Sequence, residues 1–205
     1  MHEPLVWYVS YGSNMNALRF GCYLAGGIPE GTGHRHPGCR DPRPPLATRA
    51  YDLPGGIYFA TRSPVWGGGR AFYDPALPGT APARAYLITA GQFADVAAQE
   101  MHRDPGNDLD LSEVIAVGRA ELGPGRYETL LCAGHLGEHP VLTFTAPWSA
   151  EDVEGEAPSA AYLRMLATGL CDAQGWDLRR ATTYLAGLPG AVGAWSAESI
   201  LAAVG

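Results

Sequence analysis

The run Leu5-Val6-Trp7-Tyr8-Val9-Ser10 constrains this chain more than any other stretch. It is a short apolar run rich in β-formers, so it reads as a buried strand. It stops at Tyr11-Gly12-Ser13-Asn14, residues that favour a tight turn. A helix is expected over 15–24, closed by Gly26-Gly27. A strand–turn–helix junction aims backbone N–H groups at one point, an arrangement that suits a carboxylate or phosphate. Gly12 lets a ligand approach the backbone, and Ser13 or Asn14 can cap the helix or donate to that ligand. The Gly-x-x-x-x-Gly-Lys spacing of a phosphate loop is missing.

Residues 28–46 form a Gly/Pro/Arg/His loop with no apolar period, longer than a connector needs. Short strands are expected over 48–53, 56–61, 70–73 and 84–89. A helix then spans 90–103, with Thr89 as N-cap and Gln92 at capping-box spacing. Residues 108–122 are ambiguous between helix and strand. A hairpin is expected from 127–133 and 141–146, and tail helices over 159–173, 178–188 and 197–203. No regular βαβ alternation is present. The pattern predicts an α+β fold: a mixed, barrel-like sheet with flanking helices and a C-terminal helical segment. The chain is 205 residues long and 46% hydrophobic, enough for one substantial core. We divide it into an α+β core, 1–157, and a helical extension, 158–205, packed on the same domain.

Composition removes several classes. A net charge of −7 argues against a nucleic-acid binder. No apolar run reaches transmembrane length, and Met1-His2-Glu3-Pro4 lacks the charged and apolar regions of a signal peptide. Cys22, Cys39, Cys132 and Cys171 are scattered, with no Cys-x-x-Cys pair, as expected for free thiols in a cytoplasmic protein. Lys is absent, which excludes a lysine nucleophile or Schiff base.

Glu100 is the most informative titratable residue. In the helix after Thr89, the residues Phe93, Val96, Ala97 and Met101 form one apolar stripe, and Glu100 falls inside it. Gln92, Asp95 and Gln99 fall mostly off it. A carboxylate on the core face must be paired, neutralised or used. Glu113, Glu121, Glu128 and the Glu151/Glu154/Glu156 cluster read as surface residues.

Together these features resemble the γ-glutamylcyclotransferase family. Tyr11-Gly12-Ser13-Asn14 matches its loop after the first strand. Trp66-Gly67-Gly68-Gly69 is similar to its Trp-and-glycine element, and Gln99-Glu100-Met101 falls where its acid lies. Pro158-Ser159-Ala160-Ala161-Tyr162 is similar to the start of its last core helix, and Gly169 fits the spacing. The resemblance implies cyclisation of a γ-glutamyl amide to 5-oxoproline, with release of an amine or amino acid. It implies Glu100 as general base, Tyr11, Gly12, Ser13 and Asn14 as the cradle for the substrate carboxylate, and Gly68, Gly69 and Tyr162 as further substrate contacts. It implies a small-molecule γ-glutamyl substrate with no metal or cofactor; charge and hydropathy, as above, point away from nucleic acid and membrane as partners.

Two other readings belong to different classes. One is a non-catalytic γ-glutamyl or amino-acid binding protein, against which a buried unused carboxylate speaks. The other is a metal-dependent amidohydrolase or deacetylase using His34 and His36 of the 28–46 loop, with Asp41, Asp108 or Asp110 as oxygen ligands. The loop itself is expected to lie over the mouth of the site.

Overall fold

In the computed structural model, which describes residues 3–205, the strand Leu5–Ser10 (β1) lies inside a six-stranded sheet. Residues 1 and 2, the start of the N-terminal stretch considered above, lie outside the described residues. Across the sheet the order is Ala47–Pro54 (β2), Thr80–Thr89 (β5), β1, His139–Thr145 (β8), Thr129–Leu136 (β7) and Arg119–Glu121 (β6). β1 runs antiparallel to β5 along its full length, Leu5 facing Thr89 and Ser10 facing Arg84. It runs parallel to β8, with Trp7 beside Val141 and Tyr8 beside Leu142. Both edges of β1 are thus hydrogen-bonded, and both faces are covered, which is why the strand is apolar from Leu5 to Val9.

The two faces follow strand alternation. Trp7, Val9 and Tyr11 pack with three C-terminal helices, Ala160–Gln174 (α4), Leu178–Ala186 (α5) and Ala197–Val204 (α6). Val6 and Tyr8 pack on the opposite side with Ala17–Ala25 (α1), Ala90–Glu100 (α2) and Ser112–Val117 (α3). The hairpin Gly56–Arg62 (β3) and Gly69–Asp74 (β4) forms a second sheet. It folds over the end of the first: Thr145 Oγ1 accepts from Tyr73 N–H at 3.1 Å and donates to Tyr73 O at 2.6 Å. The mixed sheet with its flanking helices agrees with the α+β expectation.

Boundaries moved in places. β5 begins at Thr80 and α2 ends at Glu100, both earlier than expected. The ambiguous stretch resolves into α3 followed by β6. The capping box is present, with Thr89 Oγ1 accepting from Gln92 N–H and the Gln92 side chain accepting from Thr89 N–H. The start of α1 corrects the sequence reading. Ser13–Met15 forms a separate 3-10 turn, and Asn16 caps α1 by accepting from Arg19 N–H at 3.0 Å. Ser13 and Asn14 are thereby released from capping.

The polar face of α2 is the larger correction. Gln92, Asp95 and Gln99 are all buried, because the 28–46 loop docks on them. Arg40 donates its backbone N–H and its Nε to Asp95, the latter at 3.0 Å from Oδ1. Gln92 Nε2 donates to the carbonyls of Asp41 and Arg43, and Gln99 Nε2 to that of Tyr23. The loop's backbone groups are satisfied by side chains of α2 where no strand is there to satisfy them. Glu128, expected at the surface, is also buried, taking Arg103 and Gly125 N–H as donors. Asp95→Ala is expected to cost about 2–3 kcal/mol, since it removes a buried carboxylate that takes both the backbone N–H and the guanidinium of Arg40. Urea denaturation measures that loss, and early proteolysis within 28–46 should accompany it.

Candidate functional site

Two adjoining hollows open beyond the C-terminal end of β1. The inner one is lined by Ser10, Gly12, Ser13, Asn14, Glu100 and Tyr162, with Tyr8 and Tyr127 on its walls. Ser13, Glu100, Tyr127 and Tyr162 also line the outer one, together with Arg19, Tyr23, His34, His36, Trp66 and Arg70. Their volumes are about 40 and 90 Å³. On a scale where one water needs about 10–15 Å³, that is room for a small molecule.

The sheet brings Asn14 and Glu100 together from positions 86 residues apart: Asn14 Nδ2 donates to Glu100 Oε1 at 3.0 Å. Asn14 is held from behind by Tyr86, whose hydroxyl donates to Asn14 O at 2.7 Å. Asn14 Oδ1 is buried without a donor among the described residues. Glu100 is half-buried, not enclosed in the core as its place in the apolar stripe predicts. It is the last residue of α2, so its side chain leaves the packed stripe and faces the hollows. An acid at a helix C-terminus meets the negative end of the helix dipole, so its position is not explained by stability.

The loop after β1 lines the inner hollow through Gly12, Ser13 and Asn14. Met15 N–H donates to Gly12 O and Asn16 N–H to Ser13 O, as in a 3-10 turn. The first N–H groups of such a turn have no acceptor within it. Gly12 is extended, so left-handed geometry does not demand a glycine there. A β-carbon on Gly12 would sit 3.6 Å from the Tyr162 hydroxyl, occupying space beside the hollow. Ser13 Oγ accepts from Arg19 Nε at 3.0 Å. Tyr11 has its ring in the core and its hydroxyl on Phe144 O at 2.8 Å, so only its backbone belongs with the loop. Tyr162 is buried, its hydroxyl accepts from Ala71 N–H at 3.3 Å, and its ring lies 5.1 Å from that of Trp66.

Gly68 and Gly69 are not in either lining, contrary to the sequence reading. A β-carbon on Gly69 would fall 1.9 Å from Glu156 O, and one on Gly68 would fall 2.6 Å from Ser159 N. Gly69 N–H donates to Ala157 O. These glycines let the hairpin press against residues 156–159, the segment that delivers Tyr162.

Sequence reasoning missed Arg19, Tyr23, Arg70 and Tyr127. Arg19 and Arg70 are buried arginines, and no pattern marks an arginine for burial. Tyr127 adopts a left-handed backbone with φ 64°, rare for an aromatic residue, and its hydroxyl donates to Ala71 O at 3.0 Å. Burial first, and then the Glu100 charge, raise the phenols of Tyr8 and Tyr23 well above their ordinary value. The phenols of Tyr8 and Tyr23 beside Glu100 are therefore neutral.

His34 and His36 both reach the outer hollow. His36 is buried and lies 3.8 Å, ring to ring, from Tyr23. Among the described residues no three His, Cys, Asp or Glu side chains come together as a metal-ligand set. The acids that could serve as oxygen ligands are engaged elsewhere, Asp41 with Arg43, Asp108 with Arg40 and Asp110 with Ser112 N–H.

No known protein-family profile matches the sequence. A search of solved structures finds a γ-glutamyl cyclotransferase at TM-score 0.53, with 14% identity over 98% of both chains. It also finds a human protein described as uncharacterized at TM-score 0.52, with 13% identity over 98% of this chain and 99% of that one. The chain therefore has the γ-glutamyl cyclotransferase-like fold. In sequence, it is 32% identical over 198 residues to histone deacetylase 5 of Arabidopsis thaliana. The match takes in 88% of this chain but only 30% of that protein's length.

Burial first, and then Arg19 and His34, push the His36 imidazole down to a pKa of about 4. In the unfolded chain a histidine titrates near 6.5, roughly its ordinary value. The unfolded state thus binds a proton that the native state refuses, so stability falls as pH drops from about 6.5 toward 4. His36→Phe should flatten this slope, measured by denaturant midpoints between pH 5 and 7; an unchanged slope would assign it to other groups.

Proposed function

We propose that the protein is an enzyme that cyclises a γ-glutamyl amide to 5-oxoproline, releasing an amine or amino acid. The observation that carries this reading is the 3.0 Å hydrogen bond between Asn14 and Glu100 on the wall of one small hollow. It joins the turn after β1 to an acid that the core does not account for. The cyclotransferase-like fold supports the same reading.

In this mechanism the γ-glutamyl head occupies the inner hollow. The N–H groups of Gly12, Ser13 and Asn14 take its α-carboxylate, as donors at the start of a tight turn can. The α-amino group lies between Glu100 and Asn14 Oδ1. Glu100 accepts its proton, and the freed amine attacks the γ-carbonyl carbon in the same molecule. The nucleophile and the electrophile are already tethered, so the protein supplies orientation, a base and N–H donors. Collapse of the tetrahedral intermediate breaks the C–N bond: the departing nitrogen takes the proton that Glu100 holds and leaves as the amine, and the ring nitrogen gives its extra proton to the freed Glu100 carboxylate as the five-membered lactam forms. Tyr162, beside Gly12, encloses the reacting atoms.

A deacetylase reading draws on the name of the plant relative. A zinc hydrolase needs three protein ligands on its metal, and the described residues of this chain bring no such set together. The geometry favours cyclisation.

The test is release of 5-oxoproline from a panel of γ-glutamyl amino acids, γ-glutamyl amines and glutathione. Glu100→Gln should lower kcat by about 10³-fold, within the range for loss of a general base, while substrate binding persists. No 5-oxoproline from any member, or full activity in Glu100→Gln, rejects the mechanism. Asn14→Ala, which removes the positioning hydrogen bond, should lower kcat by roughly tenfold, about the value of one charge-assisted bond.

A further inference from the structure

We infer that Arg19 and Arg70 build an anion subsite in the outer hollow, suited to a leaving group that carries two negative charges. The inference rests on the cyclisation reading and adds to it the class of group that departs.

Both arginines are more than nine-tenths buried, and neither takes part in an ion pair among the described residues. Arg19 makes one side-chain hydrogen bond, Nε to Ser13 Oγ, and Arg70 makes one, Nη2 to Arg62 O at 2.6 Å. Arg19 Nη1 and Arg70 Nε are buried with no acceptor among the described residues. Arginine cannot shed its charge to relieve this. A buried, unmatched guanidinium is costly, and here two line the same hollow. The other buried arginine, Arg84, has its carboxylate in Asp172. The aromatic surroundings hold the Arg19 guanidinium in place: its carbon lies 5.2 Å from the Trp66 ring centroid and 5.7 Å from that of Tyr23.

A charge count assigns the anion to the leaving side. In the cyclisation complex Glu100 is matched by the substrate's own α-amino group. The α-carboxylate is taken by the N–H groups of the inner hollow. His36, on the wall, carries no charge at neutral pH. Two positive charges remain in the outer hollow, where the departing part of the amide must lie. Guanidiniums favour carboxylates and phosphates, which their paired N–H groups can grip. A dicarboxylic amino acid or a phosphorylated amine supplies two charges. A simple alkylamine supplies none and leaves both guanidiniums unmatched.

The experiment compares four conjugates for 5-oxoproline release: γ-glutamyl-glutamate, γ-glutamyl-phosphoethanolamine, γ-glutamyl-glutamine and γ-glutamyl-butylamine. The first two carry two charges on the leaving group, the third carries one in nearly the same shape, and the last carries none. At least one of the first two should exceed the glutamine conjugate in kcat/KM by about tenfold or more, about the value of a bond to a charged partner. Which of them does so tells the carboxylate source from the phosphate. Arg70→Gln should collapse the preference over the butylamine conjugate by about tenfold, and Arg70→Lys should restore part of it. A preference that stays the same in Arg70→Gln, or no gain from the second charge in the wild type, overturns the subsite. If no conjugate yields 5-oxoproline, the cyclisation reading falls and binding decides the subsite separately. Calorimetry must then show glutarate or inorganic phosphate binding the wild type and losing about tenfold affinity in Arg70→Gln, or the subsite falls as well.

Discussion

The pairing of β1 on both edges is the constraint from which the rest of the molecule follows. A strand held antiparallel to β5 and parallel to β8 cannot slide, because a shift of one residue would turn Tyr8 and Trp7 to the wrong faces. Its last residue therefore delivers Tyr11-Gly12-Ser13-Asn14 to a defined point. β5 leads directly into α2 through Thr89, so the same sheet also sets the axis on which Glu100 sits. The Asn14–Glu100 contact is a consequence of these two placements.

Around that contact the molecule uses its glycines and its long loop for different ends. Gly68 and Gly69 allow two backbone segments to touch, which positions Tyr162. Gly12 leaves room beside the hollow. The 28–46 loop has no regular secondary structure of its own to satisfy its backbone, and α2 supplies an acceptor through Asp95 and donors through Gln92. Docked there, it brings His34 and His36 to the wall of the outer hollow. A polar helix face is thus covered without an apolar partner, at the cost of requiring every buried polar group to find its complement.

Much of the architecture was legible in the chain. β1, the capping box at Thr89 and the three C-terminal helices follow from local periodicity and caps, which act over a few residues. The start of α1 was misplaced because Ser13, Asn14 and Asn16 are all competent caps, and tertiary contacts of the first two decide among them. The burial of Gln92, Asp95, Gln99 and Glu128 was not legible, since a polar side chain carries no mark of the partner that will satisfy it.

The sequence by itself determined the strand–turn–helix junction, the α+β class and the singling out of Glu100, because each rests on neighbouring residues or on helical period. The tertiary structure alone decided that Glu100 faces a hollow and not the core, that Gly68 and Gly69 pack against backbone, and that Arg19 and Arg70 line that hollow without an ion-pair partner among the described residues. Those outcomes depend on which distant segments meet. The sheet order sets that, and no local pattern encodes the distance between residues so far apart in the chain.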